Sequence, residues 1–127
     1  MNIEEYREYC LSIKGATESF PFGENTLVYK IMDKMFTFAP LNPKDGRFWA
    51  DTKCDSTKST ELMELYNGIA FGPFSDKKHW ITIYLESDVP DSLIKELINH
   101  SIEEVNKKLP KKKQQEYRST LGIKDEN

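Results

Sequence analysis

Residues 79–110, HWITIYLESDVPDSLIKELINHSIEEVNKKLP, change hydrophobic period once, and the fold is read from that change. Up to Leu85 the apolar residues Ile81, Ile83 and Leu85 alternate with Trp80, Thr82 and Tyr84, the period of a strand with one buried face. From Leu93 onward Leu93, Ile94, Leu97, Ile98, Ile102, Val105 and Leu109 fall on one helical stripe until Pro110 stops it. Asp88 is the expected N-cap, with Pro90 just inside the helix. A strand followed by a long amphipathic helix must bury both apolar faces against each other, so a sheet covered by a helix is the seed of the fold.

Working outward, the same reading extends over the chain. Asn2 and Glu5 form a capping pair before Ile3, Tyr6, Cys10 and Ile13, which recur at helical spacing until Gly15. The loop GATESFPFGENT leads to TLVYKI and MFTFAP, two short strands of a hairpin around Asp33 and Lys34. RFWADTKC is a third strand. A helix capped by Asp55 or Ser56 follows, with Leu62, Leu65 and Tyr66 apolar and Gly68 at its end, and then a short strand within GIAFGPFSD. The expected class is α+β, a two-layer α-β-β-β-α-β-β-α order with a mainly antiparallel sheet packed by helices on one face. Residues 1–113 form the expected single domain and 114–127 a polar C-terminal tail.

Composition bounds the function. At 127 residues and 38% apolar content one modest core suffices. No apolar run reaches the roughly 18 residues a membrane helix needs, and the acidic opening MNIEEYREYC is unlike a signal peptide, so a cytoplasmic protein is expected. Cys10 and Cys54 lack metal-ligand spacing and read as two buried free thiols. The net charge of −3 argues against a chain-wide nucleic-acid coat. Between Lys107 and Arg118, however, Lys107, Lys108, Lys111, Lys112, Lys113 and Arg118 stand against Glu116 alone, a local basic patch that also suits a solvated helix end.

Several of these segments together carry a family resemblance. EEYREYCLSIKGATESFPFGENTLVYKI, MFTFAPLN and DKKHWITIYLESDVPDSLIKELINHSIEEVNKKLPKK, in that order and spacing over residues 2–113, resemble the MmcQ/YjbR family of small bacterial proteins. The resemblance implies a two-layer α/β fold similar to frataxin-like and secretion-chaperone-like domains. It also implies a suggested DNA-binding role through a double-wing arrangement, and it brings no agreed catalytic residues.

Period-two alternation assigns the open side of the sheet. Ile81, Ile83 and Leu85 go toward the helices, and Lys78, Trp80, Thr82 and Tyr84 away from them. RFWADTK likewise sends Phe48 and Ala50 inward and Arg47, Trp49, Asp51 and Lys53 outward, so two tryptophans share the open face. Three readings of this face stay open. Aromatic rings among cations stack bases while lysines meet phosphates; the same residues anchor a protein interface or a homodimer; or Trp80 only covers the sheet end. Nucleic-acid or ligand binding is assigned to Lys53, Lys77, Lys78, His79, Trp80, Lys111, Lys112 and Lys113, and an interface to Pro21, Phe22, Trp49 and Tyr84. Pro21, Phe22, Lys53, Lys77, Lys78, His79 and Trp80 are expected to gather at one shallow site. The expected partners are DNA or, in the alternative, a protein or a second copy of the chain, with no membrane.

Catalysis finds little support in the sequence. The histidines are His79 and His100, with no Ser-His-Asp or Cys-His pairing and no phosphate-binding glycine loop. Glu4 and Glu8 share a helix face, as an acidic metal ridge would, but acidic residues also suit a helix start. No metal, cofactor or enzyme activity is expected.

Overall fold

A computed structural model describes residues 1–71 and 79–122. The elements run α1 (Ile3–Ser12), β1 (Thr17–Ser19), β2 (Thr26–Ile31), β3 (Lys34–Pro40), β4 (Trp49–Lys53), α2 (Ser56–Leu65), β5 (Ile69–Phe71), β6 (Trp80–Tyr84), α3 (Asp91–Lys107) and α4 (Lys111–Thr120). The strands form one antiparallel sheet in the order β1-β2-β3-β4-β6-β5. This is the α+β class expected, with the helices on one face.

Local chemistry accounts for the elements. The Asn2 side chain accepts from the Glu5 N–H and the Glu5 carboxylate accepts from the Asn2 N–H, closing a capping box on α1. Asp55 caps α2 by accepting from the Thr57 and Lys58 N–H groups. The β2–β3 hairpin turns on Met32 and Asp33, both at positive φ (48° and 65°), the twist a two-residue hairpin needs.

The core lies between the sheet and the helices. Leu27, Tyr29, Ile31, Ala39, Ala50, Ile81 and Ile83 meet Tyr6 and Cys10 of α1, Leu62 of α2, Ile94, Leu97, Ile98, Ile102 and Val105 of α3, and Tyr117 of α4. α3 packs across β3 and β4. Burial of each large aliphatic there contributes roughly 1.5–3 kcal/mol, which is why the stripe read from residues 93–109 dominates the layer. Cys10 and Cys54 are buried free thiols, and burial pushes both thiols up in pKa.

The structure departs from the sequence reading at several elements. The hairpin turn, expected around Asp33 and Lys34, falls on Met32 and Asp33 and leaves Lys34 to open β3. Thr17–Ser19, read as loop, forms the short edge strand β1 beside β2. Asp88 does not cap α3: its carboxylate accepts from the Asn67 and Gly68 N–H groups, and Pro90 takes the N-cap position without a side-chain bond. Binding two backbone donors across the fold outcompetes a local cap and holds the Asp88 carboxyl below its usual pKa. Residues 114–120, read as part of a polar tail, continue α4, whose buried Tyr117 occupies the space a β-carbon on Gly15 would meet at 3.3 Å.

Candidate functional site

The open face is set by register. Phe38 of β3 pairs with Asp51 of β4, which pairs with Thr82 of β6. On β4 and β6, Lys53 pairs with Trp80 and Trp49 with Tyr84, so these side chains share the face away from the helices. On β3 the alternation is broken by a bulge. Tyr29 pairs with Thr37 while Lys30 pairs with Met35, leaving Phe36 without a partner on β2. Phe36 therefore enters the core, and Phe38, two residues later, stands on the open face.

Buried hydrogen bonds hold the sheet on both sides: Tyr6 and Thr37 tie it to α1 on the helix side, and Thr82 and Asp51 bridge β6 and β4 on the open side. The Thr37 hydroxyl donates to the Asp51 carbonyl at 2.7 Å, so the Tyr6 hydroxyl 2.7 Å from it serves as donor to Thr37. The Thr82 hydroxyl donates to the fully buried Asp51 carboxylate at 2.6 Å. Buried and satisfied polar groups of this kind hold strand positions firmly.

Phe38 is the hub of an aromatic cluster. Its ring lies 6.3 Å from Phe22 and 6.1 Å from Trp49, both edge to face, and 6.0 Å from Trp80 in a tilted arrangement. Because the rings meet at angles, they leave space between them. A cavity of about 550 Å³ is lined by Phe22, Thr26, Met35, Phe38, Pro40, Trp49 and Trp80. Its size falls in the range of small-ligand sites.

A second cleft, of about 420 Å³, shares Met35 and Trp80 with the first and adds Lys34, Lys53, Val105, Lys108 and Leu109. β3 begins, β4 ends, β6 begins and α3 ends at this edge of the sheet, which brings three lysines together from separate elements. The Lys53 ammonium lies 5.9 Å from the Trp80 ring centroid, within cation–π range. Farther along the face, the Arg47 guanidinium stacks 4.2 Å over Tyr84.

The structure gathers some of the expected residues and not others. Phe22, Lys53 and Trp80 come together, and Trp49 joins them in the cavity wall. Pro21 is exposed in the same loop as Phe22 without lining either cavity. Exposed His79 adjoins Trp80, and its carbonyl accepts from the Cys54 N–H. Lys77 and Lys78 lie outside the described residues. Lys111, Lys112 and Lys113 form the exposed first turn of α4, with Lys113 3.8 Å from Glu116. Both tryptophans are on the open face, yet only 7% and 9% exposed, whereas Phe22 at 63% is the ring presented to water. Met35, Phe38 and Lys34 were not singled out as site residues from the sequence, and Lys108 was read as part of the basic patch after α3, not beside Trp80. The bulge hides Phe38, and Lys108 comes from the helix layer.

His100 uses Nε2 to accept from the Asp55 N–H, and burial lowers its pKa. Among the described residues no group of three or more His, Cys, Asp or Glu is placed to hold a metal. None of the helices in the described residues is long and apolar enough to cross a membrane.

Comparison with known proteins gives a consistent picture. The family model described as YjbR matches residues 11–103. The uncharacterized protein YbdF of Escherichia coli O157:H7 is 32% identical over 98 residues, 77% of this chain and 79% of that one. The uncharacterized protein YjbR of Escherichia coli K12 is 26% identical over 113 residues, 89% of this chain and 94% of that one. Among solved structures, the Deinococcus radiodurans protein DR2400, with domain DUF419, superposes with a TM-score of 0.80 at 31% identity, covering 98% of this chain and 90% of that one. A Pseudomonas syringae protein shares the fold, with a TM-score of 0.70 at 20% identity over 80% of this chain and 96% of that one.

Proposed function

The chain belongs to the YjbR family, and from that premise, with relatives whose names assign no activity, we propose that it is a non-enzymatic nucleic-acid-binding module, with DNA the expected polymer. The observation that carries the reading is the shared wall of Met35 and Trp80, which joins an aromatic cavity to a lysine-lined cleft. Aromatic rings stack on bases whatever their identity, and lysines neutralise phosphates with release of counterions. Lys111, Lys112 and Lys113, exposed in the first turn of α4 and following Lys108 closely in sequence, add further positive charge. A local patch of this kind is compatible with a net charge of −3, which disfavours indiscriminate coating. A reducing, cytoplasmic setting belongs to the same reading and is supported by the two buried free cysteines.

The competing reading is a protein or homodimer interface on the same face, anchored by Trp49, Trp80 and Tyr84. It has less support, because a protein anchor of that kind leaves unexplained the three lysines that separate elements bring to the adjoining cleft.

Fluorescence anisotropy of labelled single-stranded and duplex DNA across a salt series tests the proposal. Affinity falls with salt, and charge reversal at Lys111, Lys112 and Lys113 together flattens the logarithmic slope by about 2, at roughly 0.7 per lost single-strand phosphate contact. Absence of any shift at micromolar protein and low salt defeats it.

A further inference from the structure

We infer that the aromatic cavity takes one unstacked base while its own phosphate occupies the lysine cleft, so that the preferred partner is single-stranded nucleic acid. This rests on the nucleic-acid reading above and narrows it to a polymer form and a mode of entry.

Three observations carry the inference. First, the rings come from separate places, Phe22 from the β1–β2 loop, Phe38 from β3, Trp49 from β4 and Trp80 from β6, and they meet edge-on or tilted. Such an arrangement is a recess with aromatic walls, unlike a flat platform. A base paired in a duplex has both faces covered by its neighbours, so a recess of this kind receives only a base that has left the stack. Second, the cavity and the cleft share Met35 and Trp80. In a nucleotide one sugar separates base from phosphate, and here one shared wall separates the apolar recess from the cations. Third, the charged side chains among the described residues lining the cleft are all of one sign. Lys34, Lys53 and Lys108 line the cleft, and no carboxylate is among the described residues lining either space. The Asp51 carboxylate lies on the same face between Phe38 and Thr82, where it is fully buried and accepts from the Thr82 hydroxyl.

The site also carries its own reporter, since the two tryptophans of the chain both line the cavity. Tryptophan emission of the full chain is titrated with a single-stranded oligonucleotide, the same strand with abasic residues, the corresponding duplex, a free nucleoside monophosphate and inorganic phosphate. The intact strand changes the emission and binds about tenfold tighter than the abasic strand or the duplex, in line with the stacking loss seen when one aromatic partner is removed. Phe22→Ala, a change at a 63% exposed ring that leaves the core untouched, loses about the same factor on the intact strand and nothing on the abasic one. Lys108→Glu reduces the salt dependence for both strands.

Equal binding of intact and abasic strands with unchanged emission overturns base insertion, while salt-dependent binding of either strand leaves the broader nucleic-acid reading standing. A free monophosphate that binds as tightly as the strand overturns the polymer preference. If no strand and no duplex binds, both readings fall together.

Discussion

Gly68→Ala sets two opposing effects against each other. Gly68 ends the connection from α2 into β5 and is not at positive φ. At such a position alanine ordinarily stabilises by about 0.4–1 kcal/mol, because it restricts the unfolded chain. Here the surroundings forbid it. A β-carbon built on Gly68 overlaps the Ser87 hydroxyl oxygen and lies 2.8 Å from Ser87 Cβ and 3.0 Å from Asp88 Oδ1. The Ser87 hydroxyl cannot simply swing aside, since it donates to the Tyr84 carbonyl at 2.7 Å and accepts from the Val89 N–H at 3.3 Å. The backbone cannot readily retreat either. The Gly68 N–H donates to Asp88 at 2.8 Å, and the Gly68 carbonyl accepts from the Tyr84 N–H at 2.8 Å. Overpacking costs about 1–3 kcal/mol, and each displaced hydrogen bond adds about 1 kcal/mol. The net expectation, after the unfolded-state gain, is a loss of about 3 kcal/mol. For a domain of this size that is a fall in Tm of roughly 10–15 °C. Thermal unfolding followed by far-UV circular dichroism, with urea titration for the free energy, measures it. Ser87→Gly in the Gly68→Ala background removes the obstructing side chain and restores more than half of the loss, giving a coupling energy above about 1 kcal/mol in the double-mutant cycle. A Gly68→Ala protein within about 0.5 kcal/mol of wild type refutes the steric reasoning.

Two further outcomes follow from packing and ionisation. His100 is neutral when it accepts from the Asp55 N–H, and burial lowers its folded pKa below the ordinary 6.5, so the unfolded chain binds the extra proton first. Stability is therefore full above the unfolded value and declines as the pH falls from about 6.5 toward the lowered folded pKa, and His100→Gln flattens that part of a urea-midpoint profile. Tyr117→Ala removes the one buried side chain of α4, which fills the space beside Gly15. Amide exchange over residues 111–120 then rises well above that of α3, whereas an unchanged pattern shows that α4 is held by other means.

The residues that were legible in the sequence are those whose packing is periodic. α3 places Ile94, Leu97, Ile98, Ser101, Ile102 and Val105 inside, and β6 alternates Ile81 and Ile83 with Trp80, Thr82 and Tyr84 in sequence, so both announce their faces even though β6 is buried at all but Tyr84. α4 does not, because KKKQQEYRST buries Tyr117 alone and has no stripe to detect. β1 is three residues of an edge strand, too short for alternation to speak. Asp88 was misread because a cap is local in sequence, whereas its actual partners Asn67 and Gly68 are distant.

The candidate site divides in the same way. The facing of Trp49, Lys53 and Trp80 follows from alternation, and the structure has it so. The cavity does not follow, since its centre, Phe38, depends on a bulge at Phe36 that a regular strand pattern cannot reveal. Nor does the cleft, for Lys34 enters from the hairpin end and Lys108 from the far layer. Exposure was the other gap. A residue on the open face is not thereby at the surface: both tryptophans pack against Phe38 and are largely buried.

The most direct test of the binding face is a two-dimensional amide and indole NMR titration of the full chain with a short single-stranded oligonucleotide at low salt. The expected result is that both tryptophan indole resonances and the backbone amides of Phe22, Lys34, Phe38, Lys53 and Lys108 shift together with one dissociation constant, while α2 stays unmoved. Shifts confined to Lys111, Lys112 and Lys113, with both indole signals unchanged, would contradict the site.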